Sequence, residues 1–305
     1  MLKDNINKLN GKEIFKTLEH SRFLPNVFLT LLIFFALWAG SFMLGRFISK
    51  YILRAIVDEN LNLLLRRIIT CGLQIIIFFI WVRFIEKRKV YTMGFRSSKR
   101  AHKFLRGVFI GIMTITIITI ILSLLGAIEI EISKNIDMGM NRYMSIVLIV
   151  LGWLVQSASE EIAIRGWLIP LLGAKYSVFT AIFITSVVFG ILHLFVQSAT
   201  VLSFVNLILS GIFFALYAIN EDGLWGVWGC HFGWNLALGN IYAFNVSGFS
   251  SIGFTVFKIK AIGSKILTGG SFGPEGGLLA TLILIVGIMI CGFKIKKHDS
   301  RETIV

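Results

Sequence analysis

Long apolar runs separated by short polar segments make up most of the 305-residue chain. Each run extends for about 20 residues, the length that an α-helix needs to cross the hydrocarbon core of a bilayer. Strands of an outer-membrane barrel would instead give alternating segments of about ten residues. The pattern therefore predicts an all-α, polytopic helical membrane protein with about eight transmembrane helices. The predicted spans are Asn26–Ile48, Leu63–Ile85, Leu105–Gly126, Tyr143–Leu172, Val178–Val196, Val201–Ile219, Leu224–Phe244 and Leu278–Phe293.

The composition agrees with a membrane protein, because 56% of the residues are hydrophobic and only 15% are charged. A soluble domain carries about 25% charged residues. The net charge of +14 comes from basic residues beside the apolar spans. This position favours contact with anionic lipid headgroups over binding of nucleic acid. The three cysteines (Cys71, Cys230 and Cys291) lack the spacing of metal ligands, so neither a disulfide framework nor a cysteine metal site is predicted.

The distribution of Lys and Arg predicts the orientation of the chain in the membrane. The loop Glu86–Arg106 carries eight basic residues against one acidic residue, and such loops remain in the cytoplasm. The loop after the third span contains Glu129, Glu131 and Asp137 and is expected outside. Both termini are therefore predicted to be cytoplasmic in the cell membrane, and the pattern is typical of a bacterial protein. The predicted divisions are a cytoplasmic segment (1–25), three N-terminal helices (26–142), a core of four helices (143–246), a Gly/Ser-rich loop (247–277) and a last helix with a basic tail (278–305).

Two segments depart from a simple series of spans. The fourth apolar run is too long for one straight crossing, so its end, Gly166–Pro170, is expected to bend along the membrane interface. The Gly/Ser-rich loop is either a flexible connector or a flap over a cavity.

Charged residues inside apolar spans are costly, so they mark candidate functional sites. Glu160 and Glu161 are the only acidic residues predicted at membrane depth. Glu161 and Arg165 are four residues apart, which places them on one face of a helix as an ion pair. Glu160 lies about 100° around the helix from Glu161 and is free to face a site. Gln156, one turn earlier, is interpreted as a packing residue.

Among the histidines, only His193 and His231 fall inside apolar spans, and His231 shares a helix face with Asn235. A pocket lined by these residues and Glu160 is feasible from their similar depths. Its carboxylate could act as a general base, with imidazole and amide groups as donors to an oxyanion. Glu160, His193 and His231 could instead hold one divalent metal ion, such as zinc. A structural ion pair with interhelical hydrogen bonds is the non-catalytic interpretation.

The order of three motifs carries a family resemblance. Glu160-Glu161-x-x-x-Arg165, Phe189-x-x-x-His193 and His231-x-x-x-Asn235 resemble the CPBP family, the CAAX proteases and bacteriocin-processing enzymes, also called Abi proteins. The resemblance covers residues 143–245 and implies an intramembrane endopeptidase. It implies that Glu160 and His193 activate water, that His231 and Asn235 stabilise the oxyanion, and that Glu161 and Arg165 support them.

The resemblance also implies a peptide or membrane-protein substrate and a cavity that opens towards the cytoplasm. It leaves the metal question open, because members have been described both as metalloproteases and as glutamate-dependent enzymes. The alternative function is that of a non-catalytic bacteriocin-immunity or scaffold protein that binds a peptide or partner in the same cavity. A transporter is less favoured, because the chain has neither internal repeats nor paired broken helices.

Overall fold

Helices dominate the computed structural model of the chain, which describes residues 13–16, 18, 21, 23–96, 99–133, 142–194 and 198–302. This confirms the predicted all-α class. Most of the predicted N-terminal segment and Asp137 lie outside the described residues. The α-helices are α1 (Glu13–Lys16), α2 (Val27–Ile52), α3 (Glu59–Ile80), α4 (Arg100–Leu124), α5 (Arg142–Glu161), α6 (Ile169–Lys175), α7 (Val178–Leu192), α8 (Val201–Glu221), α9 (Trp225–Leu236), α10 (Lys265–Thr268) and α11 (Leu278–Glu302). Shorter turns are the π-helical Trp81–Ile85, Ile162–Leu168 and Ala237–Ile241, and the 3-10 segments Val90–Met93, Gly270–Phe272 and Pro274–Gly276.

Six helical segments within the described ranges are long and apolar enough to cross a membrane, so the chain is a multi-pass membrane protein. The predicted count of eight is not confirmed. The predicted spans 178–196 and 224–244 correspond to α7, with 15 residues, and α9, with 12 residues before a five-residue π-turn. At 1.5 Å per residue, α7 is about 22 Å long, less than the roughly 30 Å of a hydrocarbon core. We therefore expect α7 to end inside the bundle, at the point where His193 follows.

A small sheet, which the sequence pattern did not predict, joins two polar loops. Strand β1 (Ile128–Ile132) pairs antiparallel with β2 (Phe257–Ala261). Lys260 Nζ lies 3.1 Å from Glu129 Oε2 across this pair. The sheet ties the Gly/Ser-rich loop to the loop after α4. We call this part of the bundle, with the turn at residues 53–58, the sheet end. The opposite part, with residues 86–96, is the basic-loop end.

Helices α4 and α9 are packed backbone to backbone. A Cβ atom on Gly107 of α4 would overlap the carbonyl oxygen of Gly226 on α9, and one on Gly111 would overlap that of Cys230. Small residues four apart allow this close approach within membranes. The contacts advance along both helices in the same direction, so α9 also runs from the basic-loop end to the sheet end. This packing fixes the height of the polar residues on α9.

The end of the fourth predicted span is buried in the bundle. Every residue from Glu161 to Gly173 is buried, and Trp167 Nε1 donates a hydrogen bond to the buried Glu86 carboxylate. The segment is therefore packed inside the bundle, and the expectation that Gly166–Pro170 bends along the membrane interface stays a prediction. The basic loop covers this segment, because a Cβ atom on Gly166 would lie 3.0 Å from the carbonyl oxygen of Met93. The π-helical turn Ile162–Leu168 joins α5 to α6, and such turns occur frequently at functional sites.

Candidate functional site

A cavity of about 650 Å³ lies within the helical bundle, among α2, α3, α5, α7, α8 and α9. Four of the sequence-predicted site residues line it together. Glu161 and Arg165 are not among the lining residues and are buried behind it. The structure thus brings three separate motifs to one place. The four lining residues are Glu160, His193, His231 and Asn235.

Glu161 is the central acceptor of a buried ion pair. Arg165 Nη1 donates to Glu161 Oε1 at 2.9 Å, and both side chains are 1% exposed. His231 Nδ1 donates to the same oxygen at 2.8 Å. The Arg165 guanidinium also lies over the rings of Phe189 and Phe214, 4.7 and 5.3 Å from their centroids. One carboxylate therefore connects α5, the π-turn and α9, and fixes the orientation of the His231 ring.

Glu160 faces the cavity and is only partly satisfied. Its Oε1 accepts a hydrogen bond of 2.7 Å from Gln156 Nε2. Its Oε2 is buried and has no hydrogen-bond partner. The ion-pair contact of this oxygen is with His231 Nε2, at 3.8 Å. A buried carboxylate oxygen without a donor is costly, so this atom is suited to bind water or substrate.

His193 follows the last residue of α7 and presents one nitrogen for chemistry. Its Nδ1 lies 2.8 Å from the carbonyl oxygen of Phe189. Because a carbonyl only accepts, Nδ1 carries the proton and Nε2 keeps its lone pair. The ring packs against that of Phe189, with centroids 4.9 Å apart. The Phe189-x-x-x-His193 spacing thus positions the imidazole through a ring contact and a backbone hydrogen bond.

Gln156 connects two predicted site residues by hydrogen bonds. Its interpretation as a packing residue missed this role. It accepts a hydrogen bond of 2.9 Å from Asn235 Nδ2 and donates the one to Glu160. An amide can do both at once. Its position one helical turn before Glu160 was the available signal, but glutamine at that spacing is also common on packed helix faces.

Glu275 is a second carboxylate that lines the cavity, beside Glu160, and the sequence did not single it out. Its Oε1 accepts from Trp234 Nε1 at 2.8 Å, and its Oε2 accepts from the Ser247 N–H at 2.6 Å. Burial raises the pKa of the Glu275 carboxyl, while the Ser247 N–H acts in the opposite direction. Asn206 Nδ2 also donates to the Glu275 carbonyl oxygen at 2.8 Å. These contacts fold the Gly/Ser-rich loop over the cavity, which favours the flap over the free connector.

The predicted metal ligands do not form a group that could hold an ion. Across the described ranges, no three His, Cys, Asp or Glu side chains are grouped in this way. Glu160 and His231 approach each other, but His193 does not join them, and its Nδ1 is bound to a carbonyl oxygen. The set Glu160, His193 and His231 therefore does not fit a metal in this arrangement.

The cavity extends from Glu160 towards the sheet end. Its lining includes Arg46 near the end of α2, Arg66 near the start of α3, and Ser247 and Phe249 of the Gly/Ser-rich loop. A cytoplasmic basic loop and a cytoplasmic cavity opening were both expected. The lining at the sheet end lies opposite the basic loop in the bundle, and the side on which the cavity opens stays a prediction.

Comparison with known protein families gives one match. Residues 142–237 match the family model described as type II CAAX prenyl endopeptidase Rce1-like. The match confirms the predicted resemblance, and it spans α5 to α9 with all six predicted site residues. No curated protein and no solved structure matches the chain.

Proposed function

We propose that this protein is an intramembrane endopeptidase that hydrolyses a peptide bond of a membrane-associated protein or peptide. The observation that carries the proposal is the unpartnered, buried Oε2 of Glu160 in a cavity that also holds His193, His231 and Asn235. The match of residues 142–237 to an endopeptidase family supports this reaction class.

In the proposed mechanism, Glu160 Oε2 takes a proton from a water molecule, and the His193 Nε2 lone pair accepts that water's other hydrogen. The water oxygen forms a bond to the scissile carbonyl carbon. Asn235 Nδ2 and a protonated His231 Nε2 donate to the resulting oxyanion. The C–N bond then breaks, and the proton held by Glu160 passes to the leaving amine. No step requires a covalent enzyme intermediate.

Glu161, Arg165 and Gln156 are positioning residues in this proposal. Glu161 holds the Nδ1–H of His231, which directs Nε2 towards Glu160. Gln156 holds Glu160 Oε1 and so leaves Oε2 towards the cavity. A base works best when a third group fixes its orientation.

We also propose that both termini are cytoplasmic, as the basic loop indicates. The cavity would then open to the outside of the cell. A cysteine at Ser250, which is exposed at the sheet end, should react with a membrane-impermeant maleimide in intact cells, in a variant that lacks the native cysteines. A cysteine at the exposed His102 should react only after permeabilisation. The reverse labelling pattern would overturn this orientation.

The endopeptidase proposal is tested with purified protein and a library of quenched-fluorescent peptides in detergent. We expect the wild type to cleave a subset of these peptides, and His193→Ala to reduce the rate by about 10²-fold or more, because the bound water loses its second acceptor. His102→Ala is the matched control, since His102 is exposed on α4 far from the cavity. Equal rates for the two variants would refute the role of His193.

A further inference from the structure

The cavity contains a group of three arginines that the proposed mechanism does not use. Arg46 of α2 and the adjacent Arg66 and Arg67 of α3 line the same cavity as Glu160. The three lie on the α2–α3 side of the cavity, towards the sheet end. We call them the arginine cluster.

No described carboxylate forms an ion pair with any member of the arginine cluster. Among the residues that the structure covers, the Arg and Lys ion pairs involve Arg88, Arg106, Arg165 and Lys260. Arg66 Nη2 donates only to the neutral Asn62 Oδ1, at 3.2 Å, and its Nε is buried without a hydrogen-bond partner. Arg66 and Arg67 are adjacent in the chain and half-buried, and such cations without a counter-ion are unfavourable, so this arrangement suits an anion that arrives from outside the chain.

The Arg67 guanidinium is held by stacking on an aromatic ring, which leaves its hydrogen-bond donors free. Its guanidinium carbon lies 4.1 Å from the ring centroid of Trp153 on α5. A Cβ atom on Gly152 would lie 3.6 Å from Arg67 Cδ, an ordinary van der Waals distance, so the arginine stem packs against this face of α5. A stacked guanidinium is held in place while the edge of its planar fork remains available for bidentate binding of a carboxylate.

The arginine cluster lies within reach of a peptide bound at Glu160. Trp153 precedes Glu160 by seven residues on α5, which is two helical turns, or about 10 Å along the axis. An extended peptide covers this distance within a few residues at about 3.3 Å each. A peptide whose scissile bond is at Glu160 can therefore place an acidic group at Arg67. Because Arg67 lies inside the cavity and stacks on the helix that carries Glu160, its position favours a peptide over a lipid headgroup.

We propose that the arginine cluster is a substrate-binding subsite that recognises a carboxylate of the peptide, with Arg67 as the central binding residue. The carboxylate belongs either to an Asp or Glu side chain or to the free C-terminus of the peptide. This subsite rests on the proposed endopeptidase function and determines its substrate class: acidic or C-terminal segments of membrane-associated peptides.

The test compares matched peptides on the full-length protein in phosphatidylcholine nanodiscs. A cleaved library peptide is made with Asp or Asn at each position near the scissile bond, and with a free or amidated C-terminus. We expect the wild type to prefer one carboxylate-bearing form through a lower KM. Arg67→Gln should reduce this preference by about 10- to 100-fold, the range for a charge-assisted hydrogen-bonded pair. Arg67→Lys, which keeps the charge but loses the fork, should retain part of it.

Arg54→Gln is the matched control, because Arg54 is exposed in the turn at the sheet end and does not line the cavity. The Asp and Asn peptides test whether a side-chain carboxylate is recognised. The peptides with a free or amidated C-terminus test whether the C-terminal carboxylate is recognised. An equal loss for acidic and neutral peptides in Arg67→Gln would overturn the subsite in favour of a structural role. A loss of anionic-lipid binding, measured with phosphatidylglycerol nanodiscs and without change in peptide preference, would assign the cluster to lipid instead.

A binding measurement separates failure of the subsite from failure of the proposed activity. Fluorescence anisotropy of labelled Asp and Asn peptides is recorded with wild-type and Arg67→Gln protein, and it does not depend on cleavage. If no peptide is cleaved but the Asp peptide binds through Arg67, the subsite stands and the endopeptidase proposal fails. If peptides are cleaved and both forms bind equally to the wild type, the subsite fails and the endopeptidase stands.

Discussion

Glu160→Gln is expected to reduce the rate of peptide hydrolysis by about 10²- to 10⁴-fold, the contribution of a well-placed general base. Glutamine has nearly the same shape, and its carbonyl oxygen can still accept the hydrogen bond from Gln156. The neutral amide cannot take a proton from water. The loss should therefore appear in kcat while thermal unfolding of the detergent-solubilised protein stays unchanged.

The matched control is Glu131→Gln, which removes an acid from the exposed face of β1. It should leave the rate unchanged. If Glu160→Gln keeps full cleavage, Glu160 is not the base. If the wild type cleaves no peptide, and both variants bind peptide as it does, a binding protein of the immunity or scaffold type is favoured instead.

Glu161→Ala is expected to destabilise the protein by about 3–5 kcal/mol, the cost of leaving one partner of a buried ion pair alone. The change leaves the Arg165 guanidinium without its carboxylate and His231 Nδ1–H without an acceptor. Both groups are buried in the bundle, where water cannot replace the lost oxygen. The loss is measured as a lower midpoint of unfolding in a denaturing detergent.

The double variant Glu161→Ala/Arg165→Leu should recover most of this stability, because it removes the unpaired charge as well. Glu129→Ala is the matched control, since it breaks the exposed pair with Lys260 and should cost at most about 1 kcal/mol. Comparable losses for Glu161→Ala and Glu129→Ala would show that the buried pair contributes no special stability.

Features that depend on local spacing could be predicted from the sequence. The pairing of Glu161 with Arg165 follows from four residues along one helix, and the spans follow from the length of apolar runs. The resemblance of the motif order to the CPBP family pointed to the region that the family model matches. These signals need no knowledge of which helices are neighbours.

Features that depend on contacts between distant segments could not be predicted. Glu275 reaches the cavity because its loop is held by Trp234 and Asn206, and no local pattern encodes that approach. The pairing of β1 with β2 joins strands more than 120 residues apart, as the partners Glu129 and Lys260 illustrate. The extension of the cavity towards the sheet end likewise depends on how the helices assemble.

The glycine contacts between α4 and α9 hold in place the wall of the cavity that α9 forms. His231 and Asn235 sit on a helix whose backbone touches that of α4, so neither helix can slide or tilt without the other. Lys103 and Arg106 of α4 in turn hold Glu221 at the end of α8. Helix α2, by contrast, buries only five of its 26 residues. We therefore expect the α2–α3 hairpin or the loop that carries Glu275 to adjust when a peptide enters, while His231 and Asn235 stay in place.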